Sequence, residues 1–417
     1  MTNQRHQNKV AITVILFTLF VVMTGYGVLL PVLPFFVERL SLKPEIDQES
    51  INFHIGALTA VYPFFQLIFA VIWGKLSDRL GRKNFIIMGL LGFILMQVLI
   101  GLSTSLTMFY VARIIGGIFT SAVIPISNAY LSDITSKENR SKVMAWSGAA
   151  ISTGLIAGPV AGGLLSKTDL HINITMGIFH LDRFSVPFFA LIIPGIIALL
   201  FVLKILKSKQ NMAVATLQIV PASVNRPDGF SLLILLSLSF ILQFSVASFE
   251  TVFSIYAKND LLFNAYQISI GFMLCGLIMA VFQPMFTSIK TKIISEKGKL
   301  LAGFFIMAIA LFIFPFMKPY ILVYSLIILF AIGGAMIAPQ LTAMVSLQDD
   351  SNTAKNLSYQ TSVNSVGQIL GPLIGTWLVG KQVLAPFILS SGLLIISVLA
   401  IIWTKRQKKQ LVFFTKN

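Results

Sequence analysis

Glu250 sits in the run Gln243-Phe244-Ser245-Val246-Ala247-Ser248-Phe249-Glu250-Thr251-Val252-Phe253-Ser254-Ile255-Tyr256 and is the one acidic residue well inside an apolar stretch of the chain. A carboxyl group with little water around it is disfavoured as an anion, so it can hold a proton near neutral pH and release it when water or a cation arrives. In chemical outline that is a proton carrier. The same spacing also allows an interfacial glutamate at the outer end of a long tilted helix, because Glu250 lies about 20 residues from where the apolar run begins. Arg113 poses a similar choice. An arginine inside a span costs roughly 2.5–3.5 kcal/mol on insertion scales, so it faces a cavity or a partner, or else snorkels to the interface about two helical turns away.

Two further patterns carry chemistry. The segment Gly74-Lys75-Leu76-Ser77-Asp78-Arg79-Leu80-Gly81-Arg82-Lys83 sets Asp78 within reach of Arg82 across a glycine turn. There a carboxylate can accept a charge-assisted bond from a guanidinium and clamp two helices together. The segment Gly154-Leu155-Ile156-Ala157-Gly158-Pro159-Val160-Ala161-Gly162-Gly163 recurs in part as Gly367, Gly371, Pro372 and Gly375, all at one offset of 213 residues. Glycine at every fourth place lets helix backbones approach closely in lipid, and proline bends a helix. A shared offset marks the chain as a duplication, and parallel halves of this size point to a transporter.

The frame that positions these groups is apolar. Hydrophobic residues make up 56% of the 417 and charged residues 11%, against roughly 25% charged in soluble domains. Apolar spans are expected at about 10–37, 51–76, 84–104, 106–132, 141–166, 184–206, 229–257, 265–290, 300–317, 319–347, 355–381 and 384–404. These predict an all-α integral membrane protein of twelve helices in two pseudo-symmetric six-helix bundles. The expected divisions are 1–206 for the first bundle, 207–228 for a linker and 229–417 for the second bundle. Lys and Arg number 23 on the side of the termini and 7 in the opposite loops, so both termini are expected in the cytoplasm. The net charge of +16 is therefore read as topology and not as nucleic-acid binding. The first apolar stretch carries Pro31 and Pro34 and no small-residue cleavage pattern, and is read as a helix rather than a removed signal. Cys275 is the only cysteine, which excludes an internal disulfide. His171 and His180 share a loop with Asp169 and Asp182, but their spacing is that of a solvated loop, and no metal site is expected. No phosphate-binding Gly-x-x-x-x-Gly-Lys-Ser/Thr loop and no catalytic triad at membrane depth is present, which argues against an ATP-driven pump or an enzyme.

The loop Gly74, Asp78, Arg79, Gly81, Arg82 resembles the signature loop of the major facilitator superfamily, Gly-x-Leu-x-Asp-Arg-x-Gly-Arg-Lys, at each of its fixed positions. The resemblance implies a gating latch, joined by Asp133, that binds no substrate. Its counterpart, Thr287 to Lys299, keeps Lys290, Lys292, Lys297 and Lys299 but lacks the Asp-Arg-x-Gly core, so the latch is expected on one half only. Arg113 with Gly116 and Gly117 resembles the family's Arg-x-x-x-Gly element. Gly154, Gly158, Pro159, Gly162 and Gly163 resemble its antiporter motif, with generic small-residue packing as the plainer reading. Together with the Glu250 run and the Gly25-to-Pro34 stretch, these resemble the twelve-helix drug:proton antiporters of the NorA type. That likeness implies Glu250 as the proton-coupling carboxylate. It implies a substrate pocket of Tyr62, Phe65, Gln66, Arg113, Gln243, Phe244, Phe249 and Phe253. One departure stands out: Gly333-Gly334-Ala335-Met336-Ile337-Ala338-Pro339 has alanines where such pumps carry an acidic and a basic residue. The expected function is proton-coupled export of lipophilic, often cationic drugs across a bacterial-type cell membrane by alternating access. The rival is a dedicated exporter of an endogenous sugar, amino acid derivative or lysolipid, since specificity lives in scattered cavity residues. Beyond lipid, protons and small lipophilic substrates no partner is expected. The chain is expected to be a monomer that needs no cofactor and uses the proton gradient as its energy source.

Overall fold

A computed structural model of the chain describes residues 2–41, 47–167, 173–176, 179–207, 230–288, 295–348 and 353–414. In hydrocarbon every backbone amide and carbonyl must be satisfied within the segment, and the described chain is accordingly almost all helix. In order it runs α1 (Thr2–Leu40), α2 (Gln48–Leu80), α3 (Arg82–Gly101), α4 (Leu106–Thr120), α5 (Val123–Ile134), α6 (Lys137–Leu165), α7 (Val186–Ile205), α8 (Leu232–Asn259), α9 (Ala265–Ser288), α10 (Glu296–Ile313), α11 (Tyr320–Ser346), α12 (Thr353–Lys381) and α13 (Ala385–Phe414). A single 3-10 turn, Phe314–Phe316, follows α10.

Eleven described segments are long and apolar enough to cross a membrane, with Leu106–Ile134 counting α4 and α5 as one. The exception is α12, long enough at 29 residues but polar through Asn356, Ser358, Gln360, Thr361, Ser362, Asn364, Ser365 and Gln368. The expected unbroken span at 106–132 is interrupted at Ser121 and Ala122. Pro125 has no amide to offer the Ser121 carbonyl, and the turn tightens instead, with the Ala122 amide on the Phe119 carbonyl (3.3 Å) and the Ser121 hydroxyl on the Ile118 carbonyl (2.6 Å).

Two short antiparallel strands, β1 (Asn173–Met176) and β2 (Phe179–Asp182), pair Asn173 with Asp182 and Met176 with Phe179 in what was read as a loop. Asp182 anchors the hairpin. Its carboxylate takes Arg39 at 2.5 Å and the Phe184 and Ser185 amides at 3.1 Å each, while Arg39 also donates to the Ser103 carbonyl. Asp169 and His171 lie outside the described residues, as does the linker expected at 207–228 beyond Lys207.

By its contacts the chain forms two compact units, Met1–Thr216 with Ser254–Met273, and Leu217–Phe253 with Leu274–Asn417. In the first, α6 lies against α1 along the glycine repeat. A Cβ on Gly154 would stand 2.5 Å from the Phe20 carbonyl oxygen, one on Gly158 2.5 Å from that of Thr24, and one on Gly162 2.7 Å from that of Val28. In the second unit α12 lies against α8 through the matching residues. A Cβ on Gly371 would stand 2.6 Å from the Phe244 carbonyl oxygen and one on Gly375 2.6 Å from the Ser248 hydroxyl. The 213-residue offset is thus the same helix contact built twice. The core of the second unit is aromatic, with Phe249, Phe253, Phe314, Phe330 and Phe387 joined by ring contacts of 4.5–5.9 Å.

Gly158→Ala should destabilise the protein by about 1–3 kcal/mol, the usual cost of overpacking, because the added methyl has backbone and not a flexible side chain in its way. Gly148→Ala on the same helix, with nothing within 4 Å, is the control and should be neutral or slightly stabilising. Thermal unfolding of the two variants in detergent separates them, and equal melting would contradict a close α1 to α6 contact.

Candidate functional site

At the end of α2 the chain turns into α3 through one residue. Gly81 takes φ 94°, a conformation that penalises any side chain, and its amide closes α2 on the Ser77 carbonyl (3.0 Å). That turn puts Arg82 at the first position of α3, between two carboxylates. Its Nε donates to Asp133 at 2.7 Å, at the end of α5, and its Nη2 stands 3.5 Å from Asp78. Asp133 and Arg82 are only 16% and 20% exposed, whereas Asp78 is half in solvent. The clamp expected between Asp78 and Arg82 is present, but the shorter, drier bond is the one to Asp133. Lys83 donates to the Leu203 carbonyl near the end of α7 (2.8 Å), and the Trp73 indole to the Ile118 carbonyl (2.7 Å), so α2, α3, α4, α5 and α7 are all tied near one end of the unit. Arg79 is exposed, and Gly74 accepts the Ser77 hydroxyl at its carbonyl (2.8 Å).

Arg113 is buried, and of its two sequence readings the structure takes the inward one. The guanidinium Nε donates to the Leu58 carbonyl (3.0 Å) and the group lies 4.6 Å from the Tyr62 ring centre. The Tyr62 hydroxyl meets Thr120 Oγ1 at 2.6 Å, and its ring contacts Tyr26 at 5.9 Å. A cation whose one close anion substitute is an aromatic face is stabilised by the ring quadrupole and one carbonyl dipole. Phe65 and Gln66 sit beside this cluster on α2, both half-buried, with Gly117 of α4 close against Phe65 and the Tyr62 carbonyl. Tyr26 and Thr120 were not singled out from sequence. Thr120 follows Arg113 by seven residues, which returns it to the same helix face, and that periodicity is the signal that could have found it.

In the second unit Glu250 is half-buried nine residues from the end of α8 at Asn259, about 13 Å along the axis. Gln243, Val246 and Glu250, at spacings of three and four, are half-buried while the residues around them are mostly buried, so they share one face of α8. The four phenylalanines assigned to the pocket divide. Phe65 remains partly open. Phe244 is buried where its backbone meets Gly367 and Gly371, and Phe249 and Phe253 are 5% and 0% exposed within the aromatic core. As packed, Phe249 and Phe253 serve the second unit's interior, and Phe244 has its ring against Phe240 at 5.9 Å. Ala335 is fully buried where α11 meets α10 through Gly333 and Gly303, so the position carries packing and no charge.

The antiporter-motif glycines do two jobs. Gly154, Gly158 and Gly162 face α1, with the Pro159 ring against Gly27, whereas a Cβ on Gly163 would meet the Ser269 hydroxyl of α9 at 2.0 Å.

Comparison with known proteins agrees with this architecture. The family model described as Major Facilitator Superfamily matches residues 15–350 and 235–416. Multidrug resistance protein 2 of Bacillus subtilis (strain 168) is 26% identical over 419 residues, covering 98% of this chain and 98% of that protein. Quinolone resistance protein NorA of Staphylococcus aureus (strain COL) is 23% identical over 401 residues, covering 96% and 98%. The crystal structure of a bacterial homologue of the human lysosomal transporter Spinster, inward-facing and occupied, superposes with a TM-score of 0.74 at 12% identity over 95% of this chain and 96% of that one, a likeness of fold.

The unequal grip of Arg82 on its two acids is measurable. A double-mutant cycle on unfolding should give a coupling of about 1.5 kcal/mol or more for Arg82 with Asp133, and about 0–1 kcal/mol for Arg82 with Asp78. A larger coupling to Asp78 would reverse the assignment of the main clamp.

Proposed function

The chain belongs to the Major Facilitator Superfamily, and on that premise we propose that it is a proton-coupled antiporter exporting lipophilic, often cationic compounds, with Glu250 as the proton-carrying group. The observation that carries the reading is Glu250 itself, a carboxyl half-buried about 13 Å inside a membrane helix on one face with Gln243 and Val246. The multidrug and quinolone resistance proteins to which the chain is similar along nearly its whole length support export and this substrate class.

In the proposed cycle Glu250 alternates between two states. Protonated, it is neutral and tolerates a dry, closed surrounding; ionised, it attracts a cationic substrate, and the exchange of one for the other couples the two fluxes. The Arg113, Tyr62 and Tyr26 cluster, with Phe65 and Gln66 beside it, supplies aromatic faces and a few polar atoms suited to flat lipophilic molecules. The Asp78, Arg82 and Asp133 network biases the conformational equilibrium and touches no substrate. The proposal extends to both termini in the cytoplasm, the proton gradient as sole energy source without a cofactor, and a monomeric unit of transport. The rival reading, export of one endogenous small molecule, uses the same residues and differs only in the compounds moved.

Glu250→Gln should abolish uphill export, since an amide exchanges no proton, while leaving the fold intact because it removes a buried ionisable group. A drug-susceptibility panel of cells producing the chain, run with and without a protonophore, reads this out, and full resistance conferred by the Gln variant would exclude the coupling role. Asp78→Ala should lower turnover more than substrate affinity, because the loop acts through the equilibrium between states. Weakened binding at an unchanged transport rate contradicts it.

Counting carboxylates sharpens the test. With Ala335 and Ala338 on α11 and Glu250 exchanging one proton per cycle, export of a monovalent cation moves no net charge, whereas export of a neutral compound carries one charge inward. That charge is worth roughly 2.3 kcal/mol per 100 mV, about a 45-fold steeper attainable gradient. In proteoliposomes, collapsing the membrane potential at fixed pH gradient should leave cation export nearly unchanged and slow export of a neutral compound. A sharp fall in cation export would require a second proton carrier.

A further inference from the structure

The first unit holds a second cluster of charged and aromatic groups, at the opposite end from the Asp78 loop. A cleft of about 260 Å³ opens there where three helices end or begin. Lys167 lies two residues past the end of α6, Arg183 three residues before α7, and Tyr266 in the first turn of α9. Each cation rests on a ring, Lys167 Nζ 4.7 Å from the Tyr266 centre and the Arg183 guanidinium 4.8 Å from that of Phe184, and Phe184 in turn stacks on Phe35 at 5.5 Å. The nearby acids are engaged elsewhere, Asp182 with Arg39 and Glu38 with Lys258. Among the described residues neither Lys167 nor Arg183 has a carboxylate within 4.0 Å. Ser166 also lines the cleft. It is 4% exposed, and its hydroxyl has no hydrogen-bond partner among the described residues.

Two cations held on aromatic supports, with no carboxylate within 4.0 Å among the described residues and a buried hydroxyl beside them, suit an anion rich in acceptor oxygens. We propose that this cleft binds a phosphate group. Its depth favours a phospholipid headgroup over free phosphate, because residues just beyond the ends of membrane-spanning helices lie at the headgroup layer, where amphipathic aromatics and basic pockets between helices meet lipid phosphates. The aromatic faces are already occupied by Lys167 and Arg183, so the site selects for the anionic part of a headgroup and against a quaternary ammonium.

The test is native mass spectrometry of the purified full-length protein in detergent, titrated with phosphatidylglycerol, with phosphatidylcholine, or with inorganic phosphate. The wild type should retain one tightly held phosphatidylglycerol. The double variant Lys167→Gln, Arg183→Gln should bind it about tenfold more weakly, the loss expected for removing charge-assisted hydrogen bonds. Lys318→Gln, an exposed cation at another helix junction, should bind like the wild type. Displacement of the lipid by millimolar inorganic phosphate, or binding of inorganic phosphate as tight as that of the lipid, identifies the free anion as the occupant. Phosphatidylglycerol preferred at equal concentration identifies the headgroup. Should the double variant fail to fold, as judged by melting and gel filtration, Arg183→Lys and Ser166→Ala replace it, and each should weaken binding several-fold. Unchanged binding in the folded variants, or an equal loss in Lys318→Gln, overturns the proposal.

Discussion

Lipid offers no hydrophobic reward for bringing two helices together, since the acyl chains are as apolar as the leucines they surround. What holds these units is close van der Waals contact, and closeness requires residues without side chains at the crossing. Gly154, Gly158 and Gly162 supply it to α6 against α1, and Gly367, Gly371 and Gly375 supply it to α12 against α8. Where those backbones approach, the other elements are placed by consequence. Pro159 settles on Gly27, the Phe244 backbone sits against Gly367 and Gly371, and the half-buried face of α8 that bears Glu250 is fixed relative to α12.

Charge is used sparingly, and each buried charge has a local answer. Arg113 is answered by the Leu58 carbonyl and the Tyr62 ring, and Arg82 by two carboxylates on different helices. Outside the membrane segments Asp47 caps α2, and hydrogen bonds from the Ser50 hydroxyl and amide hold its carboxyl below the ordinary range. These arrangements differ in kind. The Arg82 clamp joins helix ends and yields to solvent on its Asp78 side, while Arg113 is committed to the interior between α4 and α2.

Much of this architecture was legible in the sequence because the constraints are local. A glycine at every fourth residue, a shared 213-residue offset, long apolar runs and an Asp-Arg-x-Gly-Arg turn each report on their own neighbourhood, and the helices, a close helix crossing at the glycine repeat and the Arg82 network follow, though not that α1 is the partner at that crossing. Asp133 could be added because it ends the helix beside that turn. What stayed hidden depends on distant parts of the chain. Phe249 and Phe253 read equally well as pocket lining or as core, and the choice falls to Phe314, Phe330 and Phe387, more than 60 residues further on. Tyr26 joins Tyr62 only once α1 and α2 are packed. The β1 to β2 hairpin lacks any strong strand pattern and owes its anchoring to Arg39, over 140 residues away in the chain. The break at Ser121 was written in Pro125, though hydropathy alone passes over it.

The polarity of α12 has a consequence for how the protein is made. A helix with eight amide and hydroxyl side chains between Asn356 and Gln368 gains little by leaving the translocon for lipid alone, and Gln360 finds its partner only in the finished unit, donating to Ser239 of α8 at 3.1 Å. Its membrane insertion is therefore a tertiary event, in which already inserted helices serve as its solvent. Biogenesis of the second half then waits on its next-to-last helix, and a ribosome that stops before α13 leaves a chain whose most polar segment has not yet acquired its full set of neighbours.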